Sequence, residues 1–547
     1  MMPDTHDVLN QPPPLENYNL YLTDPVLDRA IAAESGKESR DMLVGFGERV
    51  GSAEVFEWGF QANTNDPVLR THDRYGHRID EIVFHPSWHS LMDLAISNGL
   101  HSLPWEDNND DNGQVTRTAL LYMSSQVEAG HFCPISMTTS VVPALRATEE
   151  VAAEWVPRII RRSYDPSFRP ASSKSGTLMG MGMTEKQGGS DVRSNTTTAT
   201  PLNGGGPGAE YSVTGHKWFT SAPMCDAFLV LAQAPGGLSC FLLPRWTPDE
   251  KLNGFQIQRL KDKLGNRSNA SSEVEFNNAY AVLVGEEGRG VATIIEMVNG
   301  TRLDCVMGST ALMRQAVAQA GWHTAHREAF GSKLVDKPLM RNVLADLEIE
   351  TETATLMMVR LAGAFDRAEF DQDEAAFRRI ALPVAKYWVT KQTTAVVREA
   401  MECLGGNGYV EESIMPRLFR ESPLNAIWEG SGNVIALDFI RAANREPAAL
   451  EVFFAELRSH ATGALSRAVE AAREALGAVT EPEAEARRIV EAIALAWAGT
   501  LCARHEDEEL LGAFVASRLE ERHGSQFGAL SAGLPLESLA GRTVPGF

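Results

Sequence analysis

The chain has 547 residues, 44% hydrophobic and 22% charged, an ordinary globular composition with length enough for three or four domains and a large core. A formal net charge of −22 and a pI near 5.1 repel polyanions at long range, so any phosphate-bearing partner must be held by a local basic patch. The six cysteines (Cys133, Cys225, Cys240, Cys305, Cys403, Cys502) form no C-x-x-C pair, which argues against a disulfide framework or a zinc site.

In chain order, "MMPDTHDVLNQPPPL" contains an acid and no apolar run, so no secretory signal is read there. Residues 1–25 are polar and proline-rich, an extended arm. Residues 26–180 read as helical, with "SWHSLMDLAISNGLHSL" repeating apolar residues at three- and four-residue steps and Asn98-Gly99 ending the pattern. Residues 181–290 alternate in short runs ("YSVTGHKWFT", "AFLVLAQA", "LSCFLLP", "FQIQRL", "SEVEF") between turn-rich stretches, a small antiparallel β domain. Helical periodicity returns over 291–445. There "PVAKYWVTKQTTAVVREAMECLGG" suggests a long helix with its proline in the first turn and glycines just past its end. Residues 446–547 are Ala/Glu/Arg-rich and form an appended helical unit. The stretch "IVEAIALAWAGTLCA" is broken by Glu491 and is too short to span a bilayer. No membrane partner and a cytoplasmic location are expected.

Several motifs carry chemistry. "MGMTEKQGGSDV" combines a threonine, glycines, Ser190 and an acid after a strand-like run. Glycines let backbone N–H groups approach a ligand and Ser190 can donate to a phosphate, though an ordinary polar turn has the same look. It is not a G-x-G-x-x-G fingerprint. In "GHKWFTSAP", Trp218 and Thr220 are two apart on a strand and should share a face, suited either to a planar cofactor or to the core. "HREAFGSKLVDKPL" offers Arg327, whose fork suits a pyrophosphate. "ECLGGNGY" is either a C-cap or a close approach of backbone to ligand. In "NAIWEGSGN" the lone acid Glu429 stands between Trp428 and a Gly-Ser-Gly turn. That setting suits a general base, or a helix start capped by Asn425 or Ser431. His85 and His89, four apart around Pro86 without an acid or cysteine in register, do not make a metal site, and none is expected.

Taken in order, "TEKQGGSD", "WFTS", "REAFG", "GGNG" and "WEGS" resemble the five motifs of the acyl-CoA dehydrogenase superfamily of flavoproteins, over residues 1–445. "LNQPPPLENYNLYL", "FHPSWH", "KDKLGNRSNASSEVEF" and "AIWEGSGN" resemble its alkylation-response (AidB) branch, which also carries the front arm and the helical extension. The resemblance implies a mainly α fold with a central β-barrel domain (the acyl-CoA dehydrogenase fold) plus an extra C-terminal helical domain, assembled as a homotetramer, with FAD as cofactor. It implies that Met183, Thr184, Gly189, Ser190, Trp218, Phe219, Thr220, Ser221, Trp428, Ser431 and Asn433 cradle FAD. Arg327, Phe330, Gly405, Gly406 and Asn407 would reach the FAD of a neighbouring subunit. Glu429 falls on the catalytic base, which would take an α-proton from an acyl thioester while a hydride leaves for flavin N5. Lys186, Gln187 and Gly188 depart from the usual pattern near the substrate mouth, which implies slow turnover. The branch also implies an alternative: a flavoprotein that binds double-stranded DNA and protects it from alkylation. Against that, residues 451–547 hold nine arginines, no lysine and fifteen acids, a net of −6. Arg467, Arg473, Arg487 and Arg488 are the candidates for a one-sided stripe, set against a salt-bridged, solvated helix face.

Overall fold

The computed structural model describes residues 5–35, 39–106, 112–477, 481–520 and 524–546; the first four residues of the expected arm lie outside that set. Residues in contact divide into two units. One holds Met1–Ala53, Thr118–Val127 and Cys305–Phe547, the other Glu54–Arg117 and Glu128–Asp304.

The front of the chain folds into α1 (Pro25–Ser35), α2 (Arg40–Val50) and α3 (Ala53–Thr64). After these, the stretch read as wholly helical contains an antiparallel hairpin, β1 (Val68–His72) with β2 (Arg78–Val83). Its turn is set by Asp73, whose carboxylate accepts from the main-chain N–H of Tyr75 and His77, and by Gly76 at φ +87°. Helices α4 (Pro86–Ser97), α5 (Gly113–Val127), α6 (Phe132–Leu145) and α7 (Glu149–Ile159) follow. α4 starts on Pro86 with His85 as its cap, the imidazole accepting from Ser87 N–H at 3.2 Å, and stops at Asn98 before Gly99 at φ +75°. His85 is thus a helix cap, and His89 bonds the Tyr164 hydroxyl at 2.8 Å.

The β domain is built from β3 (Met179–Gly182), β4 (Thr198–Pro201), β5 (Glu210–Ser221), β6 (Ala227–Ala234), β7 (Gly237–Pro244), β8 (Phe255–Leu260) and β9 (Ser271–Val284). Each of the five alternating runs in the sequence falls on one of these strands. Pairings β6–β4, β4–β5, β5–β9, β9–β7 and β7–β6 close a five-stranded barrel, with β3 beside β6 and β8 beside β9. Tyr211, Val213, Phe228, Val230, Phe241 and Leu283 are at most 1% exposed and form its core. Burial of these apolar side chains contributes about 1.5–3 kcal/mol each.

The remaining long elements are α8 (Gly290–His326), a two-residue hairpin of β10 (Glu328–Ala329) and β11 (Ser332–Lys333), α9 (Pro338–Arg367), α10 (Gln372–Cys403), α11 (Met415–Glu421) and α12 (Gly432–Arg445). α10 does not begin at Pro383 as its sequence suggested. Asp371 caps it twelve residues earlier, accepting from the N–H of Asp373 and Glu374, and Pro383 is carried inside the helix. An Asp cap with two acids in the first turn is the stronger start signal.

The extension consists of α13 (Pro447–Ser459), α14 (Gly463–Gly477), α15 (Pro482–Arg504), α16 (Glu508–Phe514) and α17 (Leu536–Arg542). Phe377 of α10, Phe453 of α13 and Trp497 of α15 join it to the bundle, with ring centroids 5.4–5.7 Å apart. Beneath them α9 carries buried Asp346, Glu348, Glu350 and Glu352, matched by Arg518 on the first and third, Arg314 on Glu348 and Arg542 on Glu352. Among the described residues no helix is long and apolar enough to cross a membrane.

Candidate active site

In the barrel unit, β3 runs into the loop Met183–Asp191, which is sewn to β5. Glu185 and Gly188 exchange main-chain hydrogen bonds at 3.1 Å, Trp218 N–H donates to Thr184 O at 2.8 Å, and Asn195 Nδ2 donates to Met183 O at 3.0 Å. The anchor is Glu185, whose carboxylate takes Lys217 Nζ at 2.7 Å and the N–H groups of Thr196 and Thr197, with the Lys217 and Glu185 side chains fully buried. Burial alone would raise the Glu185 pKa, but the Lys217 ammonium and the threonine donors more than offset it and hold it down to about 2. The sequence reading missed this pair, although both residues lie inside quoted motifs.

On β5 the pairing with β9 shifts register between Lys217 and Thr220. Simple alternation therefore fails: Lys217 and Thr220, three apart, are both 1% exposed, Trp218 is half-buried and Phe219 is 49% exposed. The Thr220 hydroxyl is buried without a hydrogen-bond partner, which is costly unless a ligand group meets it. Ser221 Oγ pairs with Ser271 Oγ at 3.2 Å. Lys261 Nζ lies 3.4 Å from the centre of the Trp218 ring and 4.5 Å from that of Phe219, a cation over two π faces that no motif announced. Met183 and Thr184 are half-buried, and Gly189 and Ser190 are exposed at the loop tip. A Cβ on Gly189 would lie 2.9 Å from Thr184 Oγ1, so only glycine fits there without a shift.

In the helical unit, the acid sits on the turn between α11 and α12. Glu429 is half-buried with φ +57°, followed by Gly430 at φ +107°. A non-glycine residue in that region costs about 1 kcal/mol or more and persists where the surroundings impose it. Trp428 Nε1 donates to Asn425 Oδ1 at 2.8 Å, and Asn425 Nδ2 to Ser309 Oγ on α8 at 3.1 Å. Asn425 is therefore no helix cap. Ser431 is the N-cap residue of α12, but its hydroxyl makes no capping bond. Lys386 of α10, 1% exposed, donates Nζ to the carbonyls of Trp428 (2.9 Å) and Gly430 (2.6 Å). Asn433 is exposed and accepts from Arg487 Nε of α15 at 2.8 Å.

The remaining motif residues gather around the arm. Asn10 exchanges two 2.8 Å bonds with the main chain of Glu328, and its carbonyl accepts from the Arg327 guanidinium. Asn407 Nδ2 donates to Gln11 Oε1 at 3.4 Å, and Trp322 Nε1 to Pro13 O at 2.8 Å. Phe330, 98% exposed at φ +53°, and Gly331 at φ +80° form the tip of the β10–β11 hairpin. Gly405, at φ +59°, and Gly406 are exposed. Arg327 and Asn407, eighty residues apart in sequence, thus share the arm as a common contact.

The barrel unit carries a tethered Gly-Ser loop, and the helical unit an acid on a left-handed turn. The chain belongs to the acyl-CoA dehydrogenase family. Its residues 10–166 match the AidB N-terminal domain (adaptive response protein AidB), 180–279 the acyl-CoA dehydrogenase middle domain and 288–443 the acyl-CoA dehydrogenase C-terminal domain. It is 47% identical over 443 residues to the putative acyl-CoA dehydrogenase AidB of Escherichia coli (strain K12), covering 81% of each chain. It is 34% identical to acyl-CoA dehydrogenase family member 11 of Caenorhabditis elegans, over 78% of this chain and 70% of that one. The solved structure of Caenorhabditis elegans ACDH-11 in complex with C11-CoA superimposes with a TM-score of 0.83 at 27% identity, covering 99% of this chain and 93% of that one.

Proposed function

We propose that this chain is an FAD-dependent acyl-CoA dehydrogenase-type enzyme in which Glu429 is the base that removes the α-proton of an acyl thioester. The observation that carries the reading is the conformation of Glu429, an acid held in a backbone region that favours glycine, half-buried and flanked by Trp428 and Gly430. A merely structural helix start would not need that strain.

FAD is the cofactor of the family, and the residues present fit it. The unpartnered Thr220 hydroxyl and the half-buried Trp218 offer a hydrogen bond and a ring face, and the open Gly189–Ser190 tip offers donors. Met183, Thr184, Phe219 and Ser221 in the barrel unit, and Trp428, Ser431 and Asn433 in the helical unit, complete the proposed set. FAD, when bound, would supply the two-electron oxidant that accepts the β-hydrogen as hydride. Glu429 holds the α-proton on its carboxylate as the C=C bond forms.

Arg327, Phe330, Gly405, Gly406 and Asn407 reach the cofactor of a second copy in this reading, within a homotetramer. Exposed Phe330 (98%), Leu339 (81%) and Tyr409 (80%) are large apolar side chains that a partner copy would cover. A cytoplasmic location belongs to the same reading. The Caenorhabditis elegans relative binds C11-CoA, so that thioester is the first substrate to try. Anaerobic bleaching of the flavin by C11-CoA, in wild type and Glu429→Gln, is the test. Loss of bleaching by about 10²–10⁴-fold with FAD retained supports the reading; equal bleaching overturns it.

A further inference from the structure

Lys386 is a buried ammonium that no motif of the sequence singles out, on a helix whose other roles are packing. It lies 42 to 44 residues from the two groups it binds, the carbonyl oxygens of Trp428 and Gly430. These are the carbonyls of the two residues on either side of Glu429. One cation therefore closes a ring around the residue that sits at φ +57°. We propose that Lys386 is the positioning residue for the Glu429 base. Its two bonds fix the left-handed turn, and with it the direction in which the carboxylate leaves the backbone. The inference rests on the reading of Glu429 as the base.

Three features separate this from ordinary core satisfaction. Lys386 is 1% exposed, so its charge is kept in an apolar helix face at a solvation cost that only specific acceptors offset. Both carbonyls belong to the one turn that carries the acid. The turn lacks the support a helix start usually has, because Ser431 makes no side-chain capping bond. Without the lysine, two carbonyls lose a charged donor and Glu429 is released toward the αR and β regions that a non-glycine residue prefers. The carboxylate of a relaxed turn spends most of its time off the line to the substrate α-carbon, and misplacement of about 1 Å is enough to cost on the order of 10²-fold in rate.

The test uses the full FAD-loaded protein with C11-CoA as probe. Lys386→Met keeps the length and removes the charge. It is expected to hold FAD and bind C11-CoA with unchanged affinity, read from the flavin spectral perturbation, while the first-order bleaching rate falls about 30–100-fold. Lys386→Arg, which keeps the charge in a different shape, is expected to fall between the two. Hydrogen exchange on the full chain gives a reading independent of turnover: the amides of residues 429–433 should exchange faster in Lys386→Met, with the β5 amides unchanged. Bleaching within about threefold of wild type in Lys386→Met overturns the proposal, provided Glu429→Gln abolishes bleaching. If Glu429→Gln bleaches normally, it is the reading of the base that fails. Should Lys386→Met not yield flavin-bearing protein, Lys386→Arg carries the test alone, and a wild-type rate in it overturns the proposal. A fall in C11-CoA affinity with an unchanged bleaching rate also overturns it, because that pattern belongs to a substrate contact.

Discussion

Arg487 donates its Nε to Asn433 Oδ1 across 2.8 Å and so ties α15 of the C-terminal extension to the first turn of α12, four residues past Glu429. The extension is joined to the turn that carries the acid as well as to the bundle core. An exposed charge-assisted bond of this kind contributes about 1 kcal/mol. Arg487→Ala is expected to raise the dissociation constant of FAD about three- to tenfold with little change in melting temperature. Fluorescence of released flavin on dilution measures it. An unchanged constant would show that Asn433 needs no support from the extension.

Arg327, proposed to meet the cofactor, comes with a structural control. Its guanidinium bonds the carbonyl of Asn10, and the Asn10 side chain completes the edge of β10. Arg327→Ala should weaken FAD retention by about 1.5–3 kcal/mol if the guanidinium also meets a pyrophosphate. Asn10→Ala should disturb the arm alone. Equal FAD loss in the two variants would assign Arg327 to arm docking and not to the cofactor.

The Glu185–Lys217 pair fixes a pH dependence. The Glu185 carboxyl titrates near 2 in the folded chain against an ordinary 4.5, so its contribution is present above about 4.5 and is lost as pH falls toward 2. Glu185→Gln leaves a fully buried lysine without its counter-charge, at a cost of about 3–5 kcal/mol near pH 7. The melting temperatures of variant and wild type are expected to differ most at neutral pH and to converge below about pH 3. A constant gap across the range would mean that the pair does not set the acid limb.

Duplex DNA is expected to bind poorly. Of the eight described arginines of the extension, seven face carboxylates: Arg458 and Arg473 on Glu451, Arg458 also on Glu470, Arg467 on Glu520, Arg488 on Glu485, Arg504 on Glu34, Arg518 on Asp346 and Glu350, and Arg542 on Glu352, Asp507 and Glu509. Of the stripe candidates, Arg467, Arg473 and Arg488 are paired with acids and Arg487 is engaged by Asn433. Each phosphate neutralised adds about −0.9 to the slope of log affinity against log salt. Anisotropy with a labelled duplex should therefore give a slope shallower than about −3. A steeper one would reinstate a DNA-protecting role.

Much of the fold was legible because its signals are local. Period-two runs bounded by Gly and Asn named β5 to β9, and Asn98-Gly99 ended α4 where the sequence placed it. The five spaced motifs pointed to the family before any contact was known. What stayed hidden depends on residues far apart in the chain. Nothing near Lys386 says that its ammonium will meet carbonyls forty residues on, and nothing near Arg518 says that α9 will offer it two buried acids. Pro383 misled for a related reason: proline marks a first turn only when no stronger cap lies upstream, and Asp371 does. Local alternation failed at Trp218–Thr220 because the register shift is imposed by β9, a partner outside the window that was read.

The left-handed backbone of Glu429 sets two selective pressures against each other at one codon. Glycine is the residue that this conformation prefers, and a Glu429→Gly chain would shed the strain, about 1 kcal/mol, while giving up its carboxylate. On the proposed role of Glu429 as base, a population screened for heat resistance alone should therefore drift toward a sturdier flavoprotein that has lost its chemistry. On the same reading, a relative carrying glycine at this position would mark a lineage that kept the scaffold after its catalytic use had lapsed.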